Sequence, residues 1–135
     1  MAFLIISRYE DAESVTVSKN AEEIYYIQRG VYSNKKVMQE SMMDFENYIY
    51  SVEDNMYHVY IGIAKSEKNA YKIKAYYKEK SIDTYIKKKI TDNKSFLKIL
   101  GQYDEILTKT NDSKTINVIC NHVLSKYEEL VNGEY

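Results

Sequence analysis

The chain has 135 residues, 44% of them apolar and 29% charged, and its formal net charge is −1. That balance excludes a disordered chain, and the length suits one globular domain over residues 1–135. Proline is absent and glycine numbers four, so linkers and low-complexity loops have little material.

The single cysteine, Cys120, has no internal partner for a disulfide, which points to a reducing, cytoplasmic setting. The apolar run at 2–6 has no basic segment before it and does not resemble a signal peptide. No stretch approaches the about 18 apolar residues of a membrane span, so a membrane is not expected as a partner. Tyrosine occurs 15 times against three phenylalanines. Tyrosine, lysine, isoleucine and asparagine all have AT-rich codons, and the composition suits a low-GC bacterium or one of its phages or mobile elements.

In chain order, the apolar run of 3–6 predicts a strand over 3–8, and the alternating "SVTVS" (14–18) predicts a second strand paired with it. Asn20 reads as a helix cap, followed by Ile24, Ile27 and Val31 on one helical face, with Gly30 as a stop. A second helix is expected from Asn34, where Met38, Met42, Phe45, Ile49 and Val52 step by three and four. Two alternating runs follow, "YHVYIGIA" (57–64) and "AYKIKAYYK" (70–78). With "KSEKN" as the loop they form a hairpin, and their apolar positions match in one register only. Ser81 is expected to cap a short helix carrying Ile82, Tyr85, Ile86 and Ile90. A long helix begins near Asn93, with Phe96, Leu97, Leu100, Tyr103 and Leu107 inward. After the turn "TNDS" (110–113) a last helix aligns Ile116, Ile119, Cys120, Val123, Tyr127 and Leu130, ending before Gly133. The predicted fold is α+β, ordered ββ-αα-ββ-ααα, with an antiparallel sheet of about four strands in two hairpins and a C-terminal helical hairpin.

Charge is unevenly placed. Residues 1–64 carry five basic and ten acidic side chains, 65–98 carry eleven lysines and four acids, and 99–135 carry three and six. Such separation steers association with a charged partner. In the expected hairpin one face gathers His58, Tyr60, Lys72, Lys74, Tyr76 and Lys78, and Lys87, Lys88 and Lys89 follow nearby. Lysines interleaved with aromatics can neutralise phosphates and stack bases. The plainer account is that they solvate a half-exposed strand and guard an edge against aggregation.

No motif names a chemistry, and no cofactor or metal is expected. Cys120 and His122 fall on different sides of one helix, so they do not make a nucleophile–base pair. Glu10, Asp11 and Glu13 lack the spacing of an EF-hand loop. The expected function is therefore non-enzymatic. The chain reads as an interaction protein that binds a protein partner through tyrosine-rich, charge-complementary surfaces, with homodimerisation through the C-terminal helices. An accessory protein of a phage or mobile element that inhibits or modulates a host protein has these features. The alternative is a nucleic-acid binder using the basic hairpin face over 57–78. A small RNase-like enzyme around His58 is the third reading.

Overall fold

The computed structural model describes residues 21–131. The strands expected at 3–8 and 14–18, the acidic turn between them and Gly133 lie outside the described residues. The order is β1 (Glu22–Tyr32), α1 (Lys35–Ser41), β2 (Ile49–Glu53), β3 (Met56–Ala64), α2 (Glu67–Lys78), β4 (Tyr85–Thr91), α3 (Lys94–Lys109) and α4 (Ser113–Leu130). This is an α+β fold with a four-stranded antiparallel sheet, ordered β2-β3-β1-β4, and a C-terminal helical pair. The fold class is the one the sequence pattern predicts, but several segments take a different state.

Residues 22–32 are a strand, not a helix. The β-branched and aromatic run Ile24–Ile27 favours a pleated surface, and β1 sits in the sheet interior between β3 and β4. Gly30 does not end a helix. The Tyr32 ring lies over it, and a Cβ there would meet the Tyr32 hydroxyl at 2.8 Å. The next helix starts where expected, with the Asn34 side chain accepting from the Val37 N–H at 2.9 Å. It ends at Ser41, and residues 49–53 become β2. Asp54 and Asn55, at φ of 53° and 63°, make the two-residue turn into β3. Both central residues at positive φ is the type I′ geometry, whose twist matches that of the flanking strands.

The second large correction is at 70–78. This segment is helical, as part of α2, and the hairpin expected over 57–78 does not form. Ser66 caps α2 by accepting from the Asn69 N–H, and Ala70, Ile73 and Tyr77 make its buried stripe. Topology settles the ambiguity. β3 and β4 each run antiparallel to β1, which lies between them, so they are parallel to one another. Parallel strands need a crossover, normally a helix. The same holds for β1 and β2, joined through α1 with β3 between them. The arrangement is a split β-α-β unit made twice. Residues 85–91 supply the fourth strand in place of the short helix expected after Ser81.

The helices α3 and α4 form as predicted. Asn93 caps α3 by accepting from the Phe96 N–H at 2.9 Å, and Asp112 caps α4 by accepting from the Thr115 N–H at 3.0 Å. The pair docks through aromatic rings. Tyr127 of α4 meets Phe96 of α3 edge-on at 5.6 Å and Tyr26 of β1 at 6.0 Å. Cys120 is buried near Tyr77, whose hydroxyl donates to the Ile61 carbonyl at 3.0 Å. Burial pushes the Cys120 thiol up to about 12, so it is a core side chain and not a nucleophile at neutral pH.

Lys72 has a structural task. Its Nζ donates to the Leu107 and Thr110 carbonyls at 2.6 and 2.7 Å, closing the C-terminal end of α3. An ammonium there satisfies orphan carbonyls and opposes the negative end of the helix dipole. Lys72→Met is expected to cost about 1–2 kcal/mol in urea denaturation. A loss below about 0.3 kcal/mol would show that water replaces the ammonium without penalty.

Candidate functional site

The nine residues singled out in the sequence fall in three places. Lys72, Lys74, Tyr76 and Lys78 lie on α2. Lys72 is committed to α3, Lys78 pairs with Asp83 at 3.0 Å, and Tyr76 is buried against Tyr77 with Lys80 over its ring. His58 and Tyr60 lie on β3, and Lys87, Lys88 and Lys89 lie on β4. The α2 lysines therefore do not share a face with His58 and Tyr60. Their alternation in sequence is that of a partly exposed helix.

The sheet instead gathers a different set. Residues directly opposite one another across an antiparallel pair share a face. Tyr26 opposes Lys87, Gln28 opposes Tyr60, Ile24 opposes Lys89, and Ser51 opposes His58. With alternation along each strand, Glu53 joins that face. Its carboxylate accepts from Lys87 at 3.1 Å, from Lys89 at 3.4 Å and from the Ser51 hydroxyl at 2.9 Å. The Tyr60 hydroxyl lies 3.4 Å from both Ser51 Oγ and Lys87 Nζ. Lys89 Nζ sits 4.6 Å from the Tyr60 ring centroid and 5.0 Å from that of Tyr26, within cation–π range. His58 Nδ1 is 3.4 Å from Gln28 Oε1.

This cluster is a lid across the sheet. Glu53 is on one outer strand and the two lysines are on the other. A flat sheet would separate those backbones by about 14 Å. Long side chains and the added twist at the two register shifts in the β1–β3 pair close that span. Beneath the lid Tyr26 and Tyr60 are only 4% and 1% exposed.

The electrostatics follow from that packing. Burial pushes the Glu53 carboxyl up, but the Lys89 charge, hydrogen bonds from Lys87 and Ser51 and the Lys87 charge outweigh it, and it titrates at about 2. Burial lowers Lys89, with Glu53 opposing. Burial, then the Lys87 charge, lowers His58, so the imidazole is neutral at pH 7. Burial raises Tyr60 and Tyr26.

The opposite sheet face carries a tyrosine row, half-buried at Tyr32 and Tyr57 and exposed at Tyr50. Tyr32, Tyr57 and Val52 stand side by side across β1, β3 and β2. Tyr50 is in the next row, its ring 5.7 Å from Tyr57 and under Lys35 Nζ at 5.9 Å. Tyr50 is 39% and Val52 55% exposed. The two outer strands of the described sheet thus differ: β4 carries three successive lysines, whereas β2 carries none.

Glu53, Ser51, Tyr26 and Gln28 escaped sequence reasoning. The available signal was "YIYSVEDNMYHVY", two alternating runs about an Asp-Asn turn, which sets Ser51, Glu53 and His58 on one face. Among the described residues no group of His, Cys, Asp or Glu is placed to hold a metal ion, and no helix is long and apolar enough to cross a membrane. His122 lies on α4 beside Tyr103 and apart from His58. No protein-family model, curated protein or solved structure matches the chain.

Proposed function

We propose that this chain is a non-enzymatic interaction module that binds a protein partner through β2 and the tyrosine row beside it. The observation that carries this reading is the asymmetry of the two outer strands of the described sheet. Proteins guard exposed edges with charge, lysine above all. β4 has that protection, whereas β2 presents Tyr50 and Val52 to solvent. Tyrosine combines large contact area with low entropic cost and is enriched at binding hot spots. An accessory protein that inhibits or modulates another protein acts by occupying such a surface.

Two further observations favour a protein over a nucleic acid. Four-stranded sheets that bind single-stranded RNA stack its bases on aromatics of the sheet. Here Tyr26 and Tyr60 lie beneath the ionic lid. Four of the six lysines singled out in the sequence are also engaged within the chain, Lys72 with α3, Lys78 with Asp83, and Lys87 and Lys89 with Glu53. The helical pair spends its apolar stripe inside the monomer, which weighs against the C-terminal helices as a dimer face.

The test is a quantitative affinity capture from a low-GC bacterial lysate, run in parallel with wild type, Tyr50→Ala/Val52→Glu and the surface control Lys126→Glu. A protein retained by wild type and the control, and depleted about tenfold or more by the double variant, is the expected result. Equal recovery by all three, or recovery abolished by nuclease, would count against the reading.

A further inference from the structure

The lid has the chemistry of an anion site filled by the chain's own side chain. Lys87 and Lys89 from β4 and the Ser51 hydroxyl from β2 converge on one carboxylate, and the Tyr60 hydroxyl lies 3.4 Å from two of those donors. The floor is aromatic, formed by Tyr60 and Tyr26. Two ammonium groups face a single carboxylate, so the cluster keeps one formal positive charge in excess. A phosphate dianion would balance both lysines and offers more acceptor oxygens than Glu53 does.

Glu53 is placed to leave. It is the last residue of β2, next to the tight turn at Asp54 and Asn55. Its side chain is 40% exposed, so a solute reaches the carboxylate from solvent. The lysines, by contrast, stand on a strand paired along its length with the interior strand β1.

We infer that Glu53 occupies in cis a binding site for a phosphate group, and that a phosphate-bearing ligand displaces it to bind Lys87, Lys89, Ser51 and Tyr60. The apparent affinity of the wild-type protein is then lowered by the fraction of time that Glu53 fills the site.

The experiment titrates wild type, Glu53→Gln and Lys87→Met/Lys89→Met with sodium phosphate at pH 7.5. Sodium chloride holds the ionic strength constant, and the Tyr60 ring and lysine side-chain NMR signals are followed. Wild type shows saturable shifts, Glu53→Gln binds about tenfold more tightly, and the double lysine variant shows no saturable shift. A wild-type protein that does not respond to phosphate, a Glu53→Gln protein that binds no more tightly, or a lysine variant that binds like wild type would each overturn the inference. If Glu53→Gln does not fold, wild type against the lysine variant still decides. A parallel titration with uridine monophosphate identifies the source. Tighter binding than phosphate marks a nucleotide, and equal binding marks the phosphate group alone.

Discussion

Phe96→Ala lowers the unfolding free energy by about 3–5 kcal/mol in urea denaturation. The ring is fully buried in the first turn of α3. It contacts Tyr127 edge-on, and Tyr127 in turn contacts Tyr26 on β1. This chain of rings ties the helical pair to the sheet. Truncation removes the transfer free energy of the ring and leaves a cavity between two helices and a strand, which a rigid sheet cannot fill by collapsing. Domains of this size are stable by about 5–15 kcal/mol, so the variant sits near its folding limit. Val118→Ala on the exposed side of α4 is the matched control and changes stability by about 0.5 kcal/mol or less. A Phe96→Ala loss below about 1 kcal/mol would mean that α3 and α4 are an appendage to an otherwise self-sufficient sheet.

Glu53→Ala costs about 2–3 kcal/mol at pH 7, because it leaves Lys87 and Lys89 close together without their shared carboxylate. Removing one partner of a fully buried pair costs more, but Glu53 is partly open to solvent. The pH dependence is the more specific signature. Folding lowers the Glu53 carboxyl from an ordinary 4.5 to about 2, so the unfolded chain binds more protons in that range. The stabilisation is therefore complete above about pH 5 and is lost as the pH falls towards 2. Discounted for exposure, this group accounts for about 1–2 kcal/mol of acid sensitivity, which Glu53→Ala lacks. In that variant Lys89 stays lowered by burial with its carboxylate gone. Its stability should then rise with pH on the alkaline side, up to the ordinary lysine value of 10.5, since the unfolded chain holds the proton longer. Guanidinium denaturation curves at pH 3, 7 and 9.5 measure all three effects. Parallel wild-type and variant curves across that range would show that the Glu53–Lys87–Lys89 cluster does not stabilise the fold.

The parts of the fold legible in the sequence are those with a local signature. Asn34, Asn93 and Asp112 mark helix starts because each cap bonds a backbone N–H three residues ahead. β3 shows as a clean alternation, and α3 and α4 show as long apolar stripes. Ile24, Ile27 and Val31 step like a helix, but Tyr25 and Tyr26 between them make a strand, and its position in the sheet interior rewards burial of successive residues. "AYKIKAYYK" satisfies both periods, since Ala70, Ile73 and Tyr77 also lie on one helical face. A non-local fact decides between them, namely that β4 must return parallel to β3. The site was only half visible for the same reason. His58, Tyr60, Lys87 and Lys89 are in the cluster, but Glu53 meets Lys87 across 34 residues and the full width of the described sheet. No local pattern predicts that meeting.

The proposed interface places a protein partner on β2 and not on the lysine strand β4. A photoreactive benzophenone amino acid placed at Val52 in one protein and at Lys88 in another tests this in cells of the low-GC class that the composition suits. Docking on β2 yields one discrete protein adduct at position 52, insensitive to nuclease, and none at position 88. An adduct at position 88 without one at 52, or a nuclease-sensitive adduct at either position, would contradict it.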